Sequence, residues 1–451
     1  MTDDELRHLG PEEVIGRFRQ LEARIAELEA ALAQQGGPAK TSANSSVPPS
    51  KSWKAKRAPK GGKRGPPVGH VGRSRPRGEP GRVVHCRPTH CRECGEALAA
   101  AGQRRVGVSQ VVDLPPLGPV VVEAWRYAAT CATCGTTTRG AYPVGLEPTR
   151  VFGPQLQAVL SYLHHQHHVG YARLRAIAHE WFGLPHLSQG AIARALRHTA
   201  EQLAPQVAAI AEQVRASPVI GSDETSARVN GRTEWQWVFQ TPTASYHTIQ
   251  PRRNGDVVRA FQGETRAGTW VSDCYRPQLN AQAERHQICL AHQHRDLQYV
   301  IDCEQSAWAQ ACQQLFRDAI HRAHQRDRGE LWGAAYQATV RKLEAACDHL
   351  VAERLVGAEA NRLQTRFREQ RAQLFVFLHD PAVPPTNNAS EQALRNSVIH
   401  RKVTGGFRSD WGAEAHAALA TVMDTARKQD RPVLATLQAT LGASIALLPQ
   451  N

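Results

Sequence analysis

Residues 218–251, PVIGSDETSARVNGRTEWQWVFQTPTASYHTIQP, contain the clearest strand pattern of the sequence. β-Branched and aromatic residues are frequent there, and Asn230-Gly231 is the strongest short-range signal for a hairpin turn. The pattern predicts three antiparallel strands, and the first of them runs into Asp223.

The next segments extend this sheet. NGDVVRAFQG (254–263) predicts a helix, GTWVSDCYRPQ (268–278) an apolar strand that ends at Asp273, and RHQICLAHQHRDLQYVID (285–302) a strand that passes into a helix. Three strands, a helix, a strand, and then a strand with a helix is the element order of an RNase H-like core. We therefore expect an α+β protein built on an RNase H-like catalytic core.

Two aspartates follow from this arrangement as candidate metal ligands. The first and fourth strands of such a core are neighbours, so Asp223 and Asp273 come together although they are fifty residues apart. Adjacent carboxylates repel unless a cation lies between them, which predicts Mg²⁺ or Mn²⁺. The alternative is that each aspartate only ends its strand as a turn former.

The stretch TNNASEQALRNSVIHRK (386–402) offers a third carboxylate, Glu391, after about 90 residues of helical pattern. A two-metal phosphoryl-transfer site needs such a third acid. The alternative is a capping box, in which Glu391 reaches back to the backbone N–H of Asn388, and both roles are compatible. Arg395, Arg401 and Lys402 are candidate phosphate contacts, and for Arg395 the alternative is an ion pair with Glu391.

Length and composition indicate the number of domains and the kind of partner that this chain binds. Its 451 residues predict about two to four domains. The net charge of +14 and the pI near 9.6 predict a polyanionic partner, first of all nucleic acid. A polar, acidic N-terminus and the lack of any run of about 18 apolar residues exclude a membrane role, and ten scattered cysteines favour a soluble protein of the reducing cytoplasm.

The basic charge is concentrated between residues 51 and 78, where no acid occurs. This Pro- and Gly-rich segment lacks apolar periodicity, so we expect a mobile arm that contacts double-stranded DNA; the alternative is a solubilising linker. The candidate DNA contacts are Lys51, Lys54, Lys56, Arg57, Lys63, Arg64, Arg73, Arg75 and Arg77, and Lys60 adds a tenth charge.

Two CxxC pairs, Cys91 with Cys94 and Cys131 with Cys134, are each followed by glycine. Strand-like VGVSQVVDL and GPVVVEAWRYAA lie between the pairs, so the region predicts a zinc ribbon with four thiolates around a structural Zn²⁺. The alternative is unligated or redox cysteines. Cys86, His85 and His90 are nearby spare ligands.

Residues 153–215 predict three helices. A short helix that ends at Gly183, a turn, and a helix capped by Ser188 are compatible with a helix-turn-helix. In that arrangement Gln189, Arg194 and Arg197 would lie near a DNA groove, whereas the alternative is a simple helical bundle. Upstream, Val14, Phe18, Leu21, Ile25, Leu28 and Leu32 form a heptad seam, which predicts either self-association or packing on another domain.

The predicted organisation has seven parts. They are a heptad helix (1–36), a basic arm (37–82), a zinc-ribbon-like domain (83–148), a helix-turn-helix-like domain (149–216), the first part of the core (217–303), a helical insertion (304–380) and the C-terminal core helices (381–451).

The order of these parts resembles the insertion sequence 66 family of bacterial DDE transposases. The motifs that carry the resemblance are NSSVPPSK, KRGPPVGHVG, the CxxC element, SDETSARV, VSDCYRPQL, CLAH and NNASEQALRNSVIHRK. The resemblance implies that Asp223, Asp273 and Glu391 are the catalytic triad, and that Cys289 and His292 belong to a C/DxxH signature that supports the site or is a structural pair. The sequence departs from the family pattern in Asp273-Cys274-Tyr275 and in Asn396, where many relatives have DGY and proline.

The resemblance implies a function. We expect cleavage of DNA at transposon ends with two Mg²⁺ or Mn²⁺ ions, followed by transfer of the freed 3′-hydroxyl into target DNA. It also implies a homodimer or higher oligomer on DNA, accessory proteins of the same element, and a bacterial, nucleoid-associated location. The competing hypotheses are a silenced transposase that acts as a DNA-binding regulator, and an RNase H-like nuclease that does not join DNA.

Overall fold

A computed structural model describes residues 22, 25, 38–41, 44–45, 70–71, 76–115, 117–148 and 151–442. Most of the predicted heptad helix and most of the basic arm lie outside the described residues. These include eight of the predicted DNA contacts: Lys51, Lys54, Lys56, Arg57, Lys63, Arg64, Arg73 and Arg75.

Seven strands are assigned in this part of the chain. Strands β1 (Ala128–Thr130) and β2 (Thr137–Arg139) form a small hairpin, and the other five form a central sheet. The sheet strands are β3 (Val219–Val229), β4 (Arg232–Gln240), β5 (Ser245–Gln250), β6 (Ala267–Ser272) and β7 (Ala283–Ile288). Their order is β5-β4-β3-β6-β7, with β3, β4 and β5 antiparallel and with β6 and β7 parallel to β3.

The predicted hairpin turn is present between β3 and β4. Asn230 and Gly231 both adopt positive φ, at 48° and 75°, which is the conformation that two-residue turns of this kind require. The mixed α/β architecture confirms the predicted α+β class, and β3 and β6 are neighbours as expected.

Thirteen α-helices surround or extend the sheet in the described residues. The first three are α1 (Pro154–His167), α2 (Tyr171–Phe182) and α3 (Gln189–Arg215), followed by α4 (Gly255–Gln262) and α5 (Arg276–Leu279) within the core. A helical segment follows β7: α6 (Leu290–Glu304), α7 (Ala307–Asp327), α8 (Gly333–Ala352), α9 (Ala358–Glu369), a 3₁₀ turn (Arg371–Gln373) and α10 (Val376–His379). The last three are α11 (Asn388–Thr404), α12 (Asp410–Lys428) and α13 (Val433–Leu441).

Alternate residues of β3 pack on opposite faces of the sheet. Ile220 belongs to an apolar core with Trp237, Phe239 and Trp270, which helices α3, α4, α12 and α13 cover. Val219 belongs to a second core, which the helices after β7 supply. Burial of large aromatic side chains of this kind contributes about 1.5–3 kcal/mol each, so each helical layer is held to the sheet by its own apolar contacts.

The predicted strands of the zinc-ribbon region are largely wrong. Within residues 106–127, leaving residue 116 aside, no strand is assigned, and only the short hairpin β1–β2 follows. The apolar side chains of this stretch are exposed: Val106, Val111, Val112, Val120, Val121 and Trp125. β-Branched residues favour strands only where their side chains can pack against a neighbouring strand or layer. In the described part of the chain these side chains have no core to pack on.

Helices α2 and α3 have the predicted boundaries. Gly183 ends α2 in the left-handed conformation, and the Ser188 hydroxyl accepts a hydrogen bond from Ala191 N at 3.1 Å at the start of α3. However, α3 continues for 27 residues, and Leu203 and Val214 in its second half pack into the sheet core. Only the first half of α3 is thus comparable to the second helix of a helix-turn-helix.

None of the described helices has the length and apolar character needed to cross a membrane.

Candidate active site

The parallel register of β3 and β6 determines where the two aspartates lie. Gly221 pairs with Val271, and continuing this register by two residues places Asp223 beside Asp273. Asp223 is still within β3, whereas Asp273 directly follows the last residue of β6. Since neighbouring strands are about 4.8 Å apart, this register brings the two acids close together where β6 ends, and the charge of Asp273 acts on Asp223.

The electrostatics of Asp223 reflect this crowding. Burial raises the pKa of Asp223 well above its ordinary value, and the charges of Glu224, Asp273 and Glu391 raise it further. A hydrogen bond from Glu224 N to the Asp223 carboxylate, 2.8 Å long, opposes the rise of the pKa only in part. An ionised Asp223 therefore requires a positive charge nearby.

The third acid, Glu391, lies in the first turn of α11. Asn387, the residue before this helix, fixes its position. Asn387 N donates to Cys289 Sγ at 3.1 Å, and Asn387 Nδ2 donates to the carbonyl oxygen of Ser222 at 2.7 Å. The start of α11 is thus tied both to the start of α6 and to the residue before Asp223.

Gly221 allows the close approach of α11 to β3. A Cβ atom at this position would collide with Gln240 Nε2 and would lie 3.0 Å from Ser390 Oγ in the first turn of α11. Because side chains alternate along a strand, Asp223 points to the same face as this contact. Asp223 and Glu391 therefore occupy the same face of the sheet.

The capping-box alternative for Glu391 is wrong. Helix α11 begins at Asn388, its cap residue is Asn387, and no backbone N–H of the first turn donates to the Asn387 side chain. Glu391 Oε1 accepts no hydrogen bond from any described residue, and the ion pair with Arg395 is also not formed. The Glu391 carboxylate instead lies 3.7 Å from His292 Nε2 and 3.9 Å from the Arg295 guanidinium.

The three acids are near one another, but their carboxylate oxygens do not converge on a single metal position. Within the described ranges, they do not form a group whose donor atoms all lie within 4.8 Å, and the effect of Glu391 on the pKa of Asp223 is the weakest of the recorded causes. Like charges without a cation between them stay apart, which accounts for the open arrangement.

A buried polar network, which sequence reasoning missed, supports the aspartates from the opposite face. Trp270 Nε1 donates to Ser222 Oγ at 2.8 Å, Ser222 Oγ donates to Gln278 Oε1, and Gln278 Nε2 donates to the Glu224 carboxylate. Glu224 also forms an ion pair with Arg253 at 2.7 Å. The network joins β3, β6 and the short helix α5 directly beside the two acids.

Arg253 completes this support. Its guanidinium lies 4.8 Å from the Trp235 ring centroid and 4.1 Å from that of Tyr275, and the Tyr275 hydroxyl donates to Arg253 O at 2.6 Å. Tyr275 N in turn donates to the Asp273 carboxylate at 2.8 Å. Sequence signals existed for two of these residues, because Glu224 and Tyr275 lie within the motifs around Asp223 and Asp273.

Cys289 and His292 adjoin Glu391. Cys289 is buried and directly precedes α6, and His292 lies in the first turn of that helix. The donor atoms of Cys289, His292 and Glu391 all lie within 4.8 Å of one another. The resemblance left open whether the pair supports the site or is a structural pair, and in the structure it lies against Glu391.

The predicted DNA contacts that the structure describes occupy several surfaces. Arg395 and Lys402 are exposed on α11, and Arg401 NH1 is 3.3 Å from Ser226 Oγ on β3. On α3, Gln189 and Arg194 are exposed and Arg197 pairs with Glu201 at 3.1 Å. Arg77 donates to Val108 O at 3.2 Å.

Each CxxC pair forms a knuckle, but the four sulfurs do not come together. Gly95 N donates to Cys91 O and Gly135 N donates to Cys131 O, and both glycines have positive φ, 76° and 70°. Hydrogen bonds from Cys94 lower the pKa of Cys91, and those from Cys134 lower the pKa of Cys131 to about 7. Of the residues placed by the structure, three or more possible ligands meet within 4.8 Å at Cys289, His292 and Glu391, not here.

Five histidines from three helices form a second polar cluster, beside a cavity of about 510 Å³. The cluster consists of His164, His165, His168, His400 and His416. Burial lowers the pKa of His400 to about 3, and it lowers those of His165 and His416 well below the ordinary value. The cluster therefore joins α1, α11 and α12 through neutral imidazoles.

Comparison with known proteins identifies relatives of this chain. The family model described as Transposase IS66 family matches residues 149–415, a range that contains all three acids. Uncharacterized protein y4hP of Sinorhizobium fredii (strain NBRC 101917 / NGR234) is 24% identical over 398 residues, covering 77% of this chain and 69% of the relative.

Proposed function

The chain belongs to the IS66 family of transposases, and from that membership we propose that it cleaves transposon ends and joins them to target DNA at Asp223, Asp273 and Glu391. The observation that carries this proposal is the register of β3 and β6, which sets Asp223 beside Asp273. We further propose that the five-stranded sheet is an RNase H-like core, since three antiparallel strands are followed by two parallel ones and the first and fourth strands are neighbours.

The donor set fits a pair of hard divalent cations. All three side chains offer carboxylate oxygens, which Mg²⁺ and Mn²⁺ prefer. The pKa of Asp223 is raised by burial and by the neighbouring acids, so the folded protein favours a cation at this place. Bound Mg²⁺ or Mn²⁺ would supply activation of the attacking oxygen and charge stabilisation of the leaving oxygen.

The protein's own residues hold the geometry of this reaction. Glu224 N donates to the Asp223 carboxylate and Tyr275 N to the Asp273 carboxylate, so we expect these acids to move little when DNA binds. Gln278 and Arg253 in turn hold Glu224 in place. Glu391 arrives on a helix tied to β3 through Asn387, and a small shift of its carboxylate toward the aspartates completes the ligand set. Such positioning matters because a misplacement of about 1 Å reduces rates by about 100-fold.

Double-stranded DNA is the proposed partner, and several regions are proposed to contact it. Arg395, Arg401 and Lys402 lie along α11, downstream of Glu391, where they suit phosphates near the reacting strand. The exposed Arg194 and the arm segment around residues 51–77 are proposed to bind the duplex more widely. A homodimer or higher oligomer, accessory proteins of the element and a cytoplasmic location remain proposals from the family.

A structural Zn²⁺ is proposed for the four cysteines Cys91, Cys94, Cys131 and Cys134. The two knuckles carry N–H groups around their sulfurs, which favours thiolates. Zinc would bring the two knuckles together. Its binding would also stabilise the fold of this region, which the exposed valines do not do.

The test is strand cleavage of DNA that carries the element's terminal repeats, with and without Mg²⁺. Asp223→Asn, Asp273→Asn and Glu391→Gln should each lower cleavage and joining by more than about 100-fold. Glu414→Gln is the matched control, because Glu414 is an exposed glutamate on α12, and it should leave the rate unchanged. Cleavage that persists in the three variants would remove these acids from the reaction, and no cleavage by the unaltered protein would leave a DNA-binding protein.

A further inference from the structure

Cys289, His292 and Glu391 bring three different ligand types to one place. Cys289 and His292 come from the start of α6, and Glu391 comes from the start of α11. Their donor atoms lie within 4.8 Å of one another, a closer grouping than the three acids achieve. Two helix N-termini thus meet around a sulfur, an imidazole and a carboxylate.

Burial raises the pKa of the Cys289 thiol, and three backbone N–H groups act against this rise. Asn387 N donates to Sγ at 3.1 Å, and the backbone N–H groups of His292 and Ala291 also act on this sulfur. Backbone N–H groups directed at a sulfur stabilise its negative charge, whereas burial of Cys289 opposes that charge. A cation bound to the sulfur would resolve this opposition.

Two atoms of the group lack the partners that buried polar atoms normally have. Glu391 Oε1 and His292 Nδ1 are buried and make no hydrogen bond to any residue with a described position. The 3.7 Å between His292 Nε2 and Glu391 Oε1 is too long for a hydrogen bond. Buried polar groups without partners require an explanation, and a bound cation is one.

We propose that Cys289, His292 and Glu391 bind one Zn²⁺-class ion, and that this ion inhibits the transposase by holding Glu391 away from Asp223 and Asp273. A thiolate, an imidazole and a carboxylate with an open fourth position are typical ligands of Zn²⁺, whereas Mg²⁺ takes oxygen ligands. Zinc bonds of about 2.0–2.3 Å require the donor atoms to move together by about 1 Å.

The inhibition follows because the zinc site and the proposed active site both require the Glu391 side chain. Glu391 has two places available, one at His292 and Cys289, and one toward the aspartates, and a single carboxylate cannot fully serve both. The structure has Glu391 at the first place. This half of the proposal rests on the proposed function, whereas zinc binding does not.

The binding half is tested on the full chain by counting Zn²⁺ ions per protein in competition with a chromophoric chelator. We expect Cys289→Ser and His292→Gln each to bind one ion fewer than the unaltered protein, because each removes one ligand. Cys303→Ser is the matched control on the same helix, and it should retain the full number. Circular dichroism checks that each variant is folded, and equal zinc counts in folded Cys289→Ser and unaltered protein would overturn the site.

The regulatory half is tested by strand cleavage at fixed Mg²⁺ with increasing Zn²⁺, each variant being compared with its own zinc-free rate. The zinc concentration for half inhibition should rise by more than about tenfold in Cys289→Ser, and added Mg²⁺ should relieve inhibition of the unaltered protein. Unchanged zinc sensitivity of Cys289→Ser would overturn this half. Absence of cleavage with Mg²⁺ alone would contradict the proposed function, and the zinc count would still decide the site.

Discussion

Asp223 shows how a proposed catalytic residue can be unfavourable for the stability of its own fold. Its carboxylate is partly buried, lies beside Asp273 and Glu224, and has a pKa raised well above its ordinary value. The folded state therefore disfavours the ionised form at neutral pH. Stability given up at such a position is the usual counterpart of reactivity.

Asp223→Asn should accordingly stabilise the metal-free protein while it abolishes cleavage. We expect the free energy of unfolding at pH 7 in chelator to rise by on the order of 1–2 kcal/mol, because the neutral amide removes the repulsion. The difference should shrink as the pH falls toward 3.8, where the carboxyl is protonated in the unfolded state as well.

Urea unfolding of the two proteins measures this difference. Asp318→Asn, at an exposed aspartate on α7, is the control and should show no such gain. Added Mg²⁺ should stabilise the unaltered protein and not Asp223→Asn. A less stable Asp223→Asn in chelator would contradict the electrostatic account.

At the scale of elements, the start of α11 decides whether Glu391 is correctly placed. Asn387 makes three hydrogen bonds there, to Cys289 Sγ, to Ser222 O and, as acceptor, from Ser390 Oγ at 2.6 Å. Its neighbour Asn388 is exposed. The two adjacent asparagines therefore form a matched pair for experiment.

Asn387→Ala should lower the free energy of unfolding by about 1–3 kcal/mol, because it leaves buried hydrogen-bonding groups unsatisfied. It should also lower cleavage by about 10- to 100-fold, because Glu391 shifts with the helix. Asn388→Ala should change either quantity little. A larger effect of Asn388→Ala, measured by denaturation and cleavage, would restore the capping-box interpretation.

The histidine cluster makes the packing of α1, α11 and α12 sensitive to acid. In the unfolded chain a histidine takes up a proton near pH 6.5, whereas His400 in the folded protein does so near pH 3. Between these values the unfolded state binds more protons, so stability falls as the pH falls. The slope is up to about 1.4 kcal/mol per pH unit for each such histidine.

His400→Asn should make this slope shallower between pH 6.5 and pH 4, whatever its effect on absolute stability. The carboxyls of Asp223 and Glu224, whose pKa values are raised, act in the opposite direction and are present in both proteins. Urea unfolding at a series of pH values measures the slope. His186→Asn, at an exposed histidine, should leave the slope unchanged, and an equal slope in His400→Asn would contradict the prediction.

The elements differ in how far the sequence predicts them. Strands β3 to β7 carry their own patterns and a turn at Asn230-Gly231, so they and the pairing of Asp223 with Asp273 were predictable. Glu224 was not recognised, because its role depends on Gln278 and Arg253, which only folding brings to it. The strands predicted from the valines between the cysteine pairs are not formed. Local strand propensity suggested them, but these side chains are exposed and have no surface to pack on.

At the scale of the whole molecule, the basic arm is connected to the catalytic region at a definite point. Asn44 Nδ2 donates to Asp302 on α6 at 3.0 Å, and Lys40 lies 4.8 Å from the Tyr299 ring centroid. The basic run begins seven residues after Asn44, a distance of at most about 25 Å. Its charges therefore start within reach of the helix that carries Cys289 and His292.

Neutralising part of this arm should weaken DNA binding in a salt-dependent way. In the triple variant, Gln replaces Lys54, Lys56 and Arg57. The slope of log affinity against log salt concentration should become shallower by about 0.9 for each phosphate contact removed. Titration of labelled duplex at several salt concentrations measures it. The control replaces three exposed residues of the helical segment, Arg341, Lys342 and Arg354, and an equal loss there would show that the arm has no special role.

The late position of Glu391 has a consequence for the newly made protein. Both aspartates leave the ribosome long before Glu391, because the helical segment, which has its own apolar core, lies between Asp273 and Glu391 in the sequence. On the proposed function, a growing chain would be unable to cut the gene that encodes it, even where translation takes place on nascent transcripts beside that DNA. On the same basis, a premature stop codon in the helical segment would yield a fragment that keeps both aspartates and lacks Glu391, and we expect that fragment not to cleave DNA.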